Sequence, residues 1–184
     1  MPTTLWRWLV CLCAVVVLTT LAIRAKDVRT ISIRDDCDPA TFNAAVGPGT
    51  CVGNGGTTFD EFLAALANGG HDKWRFNDPR TETDFAVNAS NRGGETHSFT
   101  EVDEFGGGFI PLLNMGQEPA TPCVALDDNG DPIPDGNGAF VPGAGALASL
   151  VPPGGRTGTQ GLSKGSHKFQ CCIHPWMRTV VTRE

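Results

Sequence analysis

Three side chains that bind soft metal ions lie within seven positions near the end of the chain, in the order Cys171-x-x-His174-x-x-Met177. A thiolate and a thioether are soft ligands and imidazole is intermediate, so this set suits copper better than zinc, calcium or magnesium. One further histidine would complete two histidines and one cysteine with a weak axial methionine, which is the ligand set of blue-copper electron-transfer sites. This stretch therefore predicts a copper site.

The elements that must position these ligands are predicted to be mostly short strands. Strand-like patterns cover residues 28–33, 74–76, 85–88, 97–102, 160–164, 166–173 and 177–182. Between residues 104 and 156 the chain is dominated by Gly, Pro, Asn and Asp, and we expect surface loops there apart from short packed segments at 109–113 and 144–151. Many short strands separated by turn residues indicate an all-β sandwich.

One helix is predicted, over residues 58–67. Its apolar residues recur at the i, i+3, i+4 and i+7 positions of a helical face, at Phe59, Phe62, Leu63 and Leu66. Thr58 with Glu61 three positions later forms a capping box, and a glycine pair closes the far end. We interpret this helix as an accessory element that packs against one face or end of the sandwich.

The first 25 residues have the pattern of an export signal. Arg7 precedes an apolar run over residues 9–22, and small residues follow the run. Cleavage after Ala22 and cleavage after Ala25 both fit this pattern. The alternative is an uncleaved membrane anchor, although the apolar run is short for a bilayer span. In either case we expect the remaining chain to be exported, to the periplasm or the extracellular space.

The chain of 184 residues is acidic, with a formal net charge of -6. Residues 1–25 contain two basic residues, Arg7 and Arg24, and no acidic ones, so their removal takes the charge from -6 to -8. An acidic domain argues against binding to nucleic acid or to an anionic membrane surface, both of which select basic patches. Contact with a membrane is expected only if the N-terminal segment is not cleaved.

Five cysteines follow the predicted signal, at positions 37, 51, 123, 171 and 172. Export favours disulfides, and an odd number leaves one thiol that needs a role. If Cys171 binds the metal, the other four can form two disulfides. A bond between Cys37 and Cys51 is the natural local pairing, although either cysteine could pair at longer range.

The motif at the end of the chain resembles the C-terminal ligand loop of the cupredoxins, the type 1 blue-copper proteins. The residues that carry the resemblance are Phe169, Cys171, His174, Pro175 and Met177, and the short spacing is that of amicyanin and pseudoazurin. The unit formed by Asn91 and His97 is similar to the plastocyanin and pseudoazurin pattern of an Asn six positions before the first ligand histidine. The combined match covers about residues 74–182, and the stretch over residues 93–108 resembles plastocyanin-like exported bacterial proteins in particular.

This resemblance implies a Greek-key cupredoxin β-sandwich over residues 74–184, preceded by an N-terminal extension over residues 26–73 and carrying a long Gly/Pro-rich insertion over 104–156. It implies one copper ion bound by the ligands His97, Cys171, His174 and Met177. It further implies that the Asn91 side chain ties the two ligand-bearing loops together and that Pro175 stiffens the second loop. The implied function is the transfer of single electrons between redox partner proteins, without enzymatic activity.

Two further expectations follow for the ligand loop. Cys172 should point to the opposite side of the strand from Cys171 if the chain is extended there, so we pair it with Cys123 as a hypothesis. The C-terminal ligand histidine usually reaches the surface in this family, so Pro175 and Trp176 beside His174 are candidates for an apolar docking patch. Trp176 could equally be a core residue that caps the site.

Two other functions compete with electron transfer. A multicopper enzyme would need more histidines than this chain has, since it contains four in total and one type 1 site takes two. A copper carrier or storage protein remains the alternative, although carriers usually use Met-rich exposed sites and only three methionines are present. Zinc could bind a Cys/His set, but it gains little from a thioether.

Overall fold

The computed structural model describes residues 27–69 and 72–184. The predicted export signal over residues 1–25 lies outside these ranges. Within them, no helix has the length and apolar character needed to cross a membrane.

The described chain is mostly β, with two four-stranded sheets and one two-stranded sheet. The strands are β1 (Val28–Arg34), β2 (Arg75–Phe76), β3 (Arg80–Thr83), β4 (Ala86–Asn91), β5 (His97–Ser98), β6 (Thr100–Val102), β7 (Leu150–Val151), β8 (Gln160–Gly161), β9 (Gly165–Gln170) and β10 (Arg178–Arg183). The sheet orders are β2-β1-β4-β8, β3-β10-β9-β6 and β5-β7. The predicted β class is therefore confirmed.

Each large sheet combines parallel and antiparallel pairs. β1 runs parallel to β4, with Ile33 opposite Asn91, and β10 runs parallel to β3. β9 is antiparallel to both β10 and β6. The strand β1 thus belongs to the same sheet as β4, so the beginning of the predicted N-terminal extension is built into the sandwich.

The main core contains residues from both four-stranded sheets. Ile31 and Ile33 of β1 are fully buried at alternate positions, as expected for a strand with one face turned to the core. Phe99 and Phe169 stack with ring centroids 4.4 Å apart and an angle of 3° between their planes. Cys171 and Met177 belong to the same buried cluster, so two predicted copper ligands lie at the edge of this core.

The helices are more numerous than predicted. The expected helix is present as α2 (Phe59–Ala67), with both hydrogen bonds of the Thr58–Glu61 capping box. Two further helices, α1 (Pro39–Ala45) and α3 (Ala144–Ala148), correct the prediction of a single one. In α1, Asp38 caps the first turn and Phe42 is the one buried residue. A seven-residue helix with a single buried residue leaves no periodic apolar pattern in the sequence.

The segment over residues 104–156, predicted to be an insertion, contains short elements and packs into a second buried cluster. It contains two 3-10 turns, Pro111–Leu113 and Thr121–Cys123, besides α3. Cys123 is joined to Cys172 by a disulfide, and both belong to a second buried cluster, with Val102, Ala120 and Ala146. The two neighbouring cysteines of the ligand loop therefore face different cores, Cys171 the main one and Cys172 the smaller one.

Candidate metal centre

Three of the predicted ligands converge on one point inside the protein. The Nδ1 atoms of His97 and His174 lie 3.3 Å apart, and the Sγ atom of Cys171 lies 3.8 Å from the first and 4.0 Å from the second. All three side chains are at most 3% exposed. Two imidazoles and a thiol thus form a small triangle shielded from water.

The size of this triangle fits a metal ion at its centre. Bonds of about 2.0–2.1 Å to imidazole nitrogen and about 2.3 Å to thiolate sulfur, in a trigonal plane, would place the two nitrogens about 3.6 Å apart and each nitrogen about 3.8 Å from the sulfur. The observed separations of 3.3, 3.8 and 4.0 Å lie close to these values. Two imidazoles and one thiolate are donors that suit copper.

The loop between β9 and β10 brings Cys171 and His174 to this point and also carries Met177. The Cys171 N–H donates to the Met177 carbonyl at 3.0 Å, and the Met177 N–H donates to the His174 carbonyl at the same distance. These bonds close a compact turn in which Pro175 is buried and Met177 is 1% exposed. Antiparallel pairing of β9 with β10 holds the two ends of the loop together.

Ser98 connects this loop to the strand that carries His97. Its N–H donates to the Cys171 sulfur at 3.3 Å, and its hydroxyl accepts from the Cys172 N–H at 2.7 Å. The His174 N–H also points to the Cys171 sulfur, at 3.5 Å. Two backbone donors at the sulfur favour its thiolate form. Sequence reasoning missed Ser98, whose position next to a predicted ligand was the available signal.

Asn91 does not join the two ligand-bearing loops, which corrects the expectation drawn from the resemblance. Its side-chain amide donates to the carbonyls of Glu95 at 2.7 Å and Val151 at 2.8 Å, and its oxygen accepts from Gly93 N–H at 2.9 Å. These bonds fix the turn before His97 and attach it to β7. The connection to the other loop is made by Ser98, because Ser98 lies on β5 directly beside the ligand thiol.

The second ring nitrogen of His97 contacts a buried carboxylate. Its Nε2 atom lies 2.8 Å from Oδ2 of Asp35, whose side chain is 1% exposed. Burial lowers the pKa of His97, but the hydrogen bonds with Asp35 and Cys171 outweigh this effect and raise that pKa to about 9. Asp35 lies 62 positions before the histidine, so no local sequence pattern pointed to it.

The electrostatics of the site favour a charged sulfur. Burial raises the pKa of the Cys171 thiol, but hydrogen bonds with His174 and His97 and the charges of the two imidazoles outweigh it. The net result is a pKa well below the ordinary thiol range. A thiolate is the form of cysteine that binds metal ions, so the surroundings prepare this ligand for binding.

His174 is covered rather than exposed, which corrects the expectation of a surface edge. It is 3% exposed, and the rings of Phe62 and Trp176 stand beside it at centroid distances of 6.3 and 5.4 Å. Phe62 comes from α2, in the predicted N-terminal extension, so this helix supplies part of the cover. Trp176 is half-buried in this aromatic group, in contact with Phe62 at 6.2 Å.

A carboxylate also lies near the outer nitrogen of His174. The Oε2 atom of Glu95 is 3.9 Å from Nε2 of His174, and it accepts a hydrogen bond of 2.5 Å from the Trp74 indole. Beside these residues a cavity of about 250 Å³ opens between the two N-terminal helices and the 3-10 turn at Pro111–Leu113. Most of its walls are apolar, so the cover over His174 presents a hydrophobic surface to the outside.

The four other cysteines of the described residues form two disulfides. Cys37 is bonded to Cys51 and Cys123 to Cys172, and among the described residues Cys171 is the one free cysteine. The first disulfide encloses α1 and holds it beside α2. The second anchors the 104–156 insertion to the ligand loop at the residue next to Cys171.

The chain matches no protein-family model and no curated protein. Among solved structures it is similar to amicyanin from Paracoccus versutus, with 17% identity over 62% of this chain and 76% of that chain and a TM-score of 0.33. It is also similar to a Cu(I) methionine-to-alanine mutant of amicyanin, at 15% identity, 61% and 76% coverage and a TM-score of 0.33. Likenesses this distant carry no argument about function, which must be derived from the site itself.

Proposed function

We propose that this protein is a type 1 copper protein that carries single electrons between redox partners outside the cytoplasm. The observation that carries the proposal is the buried triangle of two imidazole nitrogens and one thiol sulfur, with sides of 3.3, 3.8 and 4.0 Å. His97, Cys171 and His174 would hold the ion, and Met177 of the same loop would be the fourth ligand. Copper bound in this way supplies a one-electron redox couple.

The protein itself holds the ligand side chains in fixed positions and keeps water away from them. The backbone bonds that close the 171–177 loop and the Ser98 contacts to Cys171 and Cys172 keep the ligand positions fixed. Burial excludes water from the plane of the three ligands. A site that cannot rearrange suits electron transfer, because both oxidation states then share nearly the same geometry.

Several features of the chain support a carrier of electrons rather than an enzyme. Two of its four histidines are taken by the triangle, which leaves too few for a second, catalytic copper centre. We propose that partners dock on the apolar surface over His174, with Trp176 within the contact. The disulfides and the export pattern of residues 1–25 support a periplasmic or extracellular location.

The second candidate function is copper carriage or storage. Carriers exchange their ion with partners, which requires access to the ligands, whereas the three ligand residues here are at most 3% exposed. Burial therefore favours electron transfer. The 171–177 loop nevertheless lies near the surface beside a cavity, so the two functions must be separated by experiment.

The test is reconstitution of the purified chain with Cu(II). We expect an intense visible absorption from thiolate-to-copper charge transfer, which disappears on reduction and returns on oxidation. Cys171→Ser should remove this absorption, because an alcohol cannot replace the thiolate. In the metal-free wild-type protein, the Cys171 thiol should react only slowly with thiol reagents. A colourless, redox-silent copper complex would support carriage and contradict the proposal.

A further inference from the structure

We propose that Asp35 is a positioning residue for the ligand His97 and that its negative charge favours the oxidised state of the site. The inference rests on the proposed function, but it concerns a residue outside the four predicted ligands and outside the stretch that resembles a known family. Asp35 lies directly after β1, in the N-terminal extension.

The Asp35 carboxylate is fully engaged by the turn that carries His97. Its Oδ1 atom accepts from the Gly94 N–H at 2.8 Å, and its Oδ2 atom accepts from the Glu95 N–H at 3.1 Å as well as contacting His97 Nε2 at 2.8 Å. The Cys37 N–H lies 3.4 Å from Oδ1. An ionised carboxylate only accepts hydrogen bonds, so it can satisfy these donors without rotating.

This contact decides which nitrogen of His97 is free to bind a metal. A neutral imidazole carries its proton on one nitrogen and a lone pair on the other, and the partner of one nitrogen sets the role of the other. Asp35 keeps the proton on Nε2, so Nδ1 is the nitrogen that gives up its proton and supplies the lone pair when a metal ion binds. Nδ1 is the atom that faces His174 and Cys171.

The backbone of the turn before His97 packs closely against the Asp35 carboxylate. A Cβ atom at Gly93 would lie 1.8 Å from Oδ2 and 2.8 Å from the backbone nitrogen of Asp35, so a side chain at position 93 would displace it. Parallel pairing of β1 with β4 places Ile33 opposite Asn91, which brings the residues after both strands together. The pairing register of β1 with β4 therefore brings Asp35 close to His97.

The buried charge has a consequence for the redox equilibrium. A carboxylate hydrogen-bonded to a ligand imidazole makes that ligand a stronger electron donor, and it interacts more favourably with a doubly charged than with a singly charged ion. Partners of this kind typically change metal affinity by 10–100-fold when they are removed. We expect Asp35 to lower the reduction potential by stabilising Cu(II) relative to Cu(I).

The experiment compares Asp35→Asn with Asp36→Asn. Asp36 is the adjacent residue, bonds to Lys73 and Thr57, and is 38% exposed, so it provides the same charge change away from the site. We expect Asp35→Asn to change the Cu(II)-to-Cu(I) affinity ratio at least tenfold, which raises the potential by at least about 59 mV for a one-electron couple. Equal potentials in the two variants would overturn the proposal.

A second measurement does not depend on copper. In the wild-type protein loaded with Zn(II), which also binds Cys/His sets, we expect the His97 Nε2 proton to give a strongly shifted NMR signal that exchanges slowly with water. Rapid exchange of that proton in folded wild-type protein would overturn the positioning role even if Asp35→Asn does not fold. Failure of the chain to give a blue Cu(II) complex would instead contradict the proposed function, while the zinc measurement would still test Asp35.

Discussion

The ring of Phe62 stands edge-on to the ring of His174, with centroids 6.3 Å apart and an angle of 88° between their planes. Phe62 lies on α2 and is itself 4% exposed, so this helix covers a predicted copper ligand. Trp176 closes the same side. In the proposed electron transfer, an electron that passes by way of His174 would therefore cross an aromatic layer on this side rather than leave directly from the imidazole edge.

The first prediction concerns this layer. Phe62→Ala should expose His174 and increase the rate at which a small water-soluble reductant reduces the copper-loaded protein, as followed by loss of the visible absorption. It should also destabilise the fold by about 3–5 kcal/mol, the usual cost of truncating a buried phenylalanine. Reduction rates should be measured below the unfolding transition of the variant.

Leu63→Ala is the matched control, since Leu63 lies next to Phe62 on the same helix and is 39% exposed. It should leave the reduction rate within a factor of two and cost little stability, as surface substitutions usually do. If Phe62→Ala and Leu63→Ala were reduced at the same rate as the wild type, the aromatic layer would not control access to His174.

The second prediction concerns Met177, the fourth proposed ligand. Met177→Leu keeps the volume and apolar character of a side chain that is 1% exposed, so the fold should be retained. Copper should still bind through the three other ligands, and the reduction potential should rise because a weak donor to Cu(II) has been removed. Cyclic voltammetry and the visible spectrum check both points. An unchanged potential and spectrum would show that Met177 is not a ligand.

The features that could be predicted from the sequence are those whose residues lie close together in the chain. Cys171, His174 and Met177 form one short motif, and the helix over Phe59–Ala67 has a complete apolar face and a capping box. Asp35 reaches the site only because β1 pairs with β4, and pairing between distant strands leaves no local pattern. The cover over His174 was missed for the same reason, since the packing of α2 against the ligand loop is a long-range contact.

The third prediction concerns the connection between β5 and the ligand loop. The Ser98 hydroxyl accepts from Cys172 N–H at 2.7 Å and bonds to Thr100 Oγ1 at 2.9 Å, all within a fully buried region. Ser98→Ala leaves the Cys172 N–H without this partner, which should cost about 1–3 kcal/mol in the free energy of unfolding. Urea denaturation of the copper-loaded protein measures the loss.

Ser32→Ala is the control for this substitution. The Ser32 hydroxyl is buried and has no hydrogen-bond partner among the described residues, so its removal leaves no other group unsatisfied. The variant should be as stable as the wild type or more stable. Equal stability losses in Ser98→Ala and Ser32→Ala would contradict a specific role for the Ser98 bonds.

The fourth prediction is a pH dependence away from the metal centre. Nδ1 of His167 lies 2.5 Å from Oε1 of Glu101, on the neighbouring strand. Partial burial lowers the pKa of His167, but the hydrogen bonds with Glu101 and the Ser163 carbonyl outweigh it and raise the pKa above its ordinary value. The folded state then binds the proton more tightly than the unfolded chain, so protonation stabilises the fold.

The sign of the effect follows from the raised pKa. The stabilisation of the fold by protonated His167 is complete below the pKa of this histidine in the unfolded chain, about 6.5. It is lost as the pH rises through the higher pKa of the folded state. The difference in unfolding free energy between wild type and His167→Gln should therefore be larger at about pH 5.5 than at about pH 9. Glu101→Gln should weaken the same dependence, because the neutral amide no longer favours the charged imidazole. A difference that stays constant or grows with pH would show that this pair does not stabilise the fold.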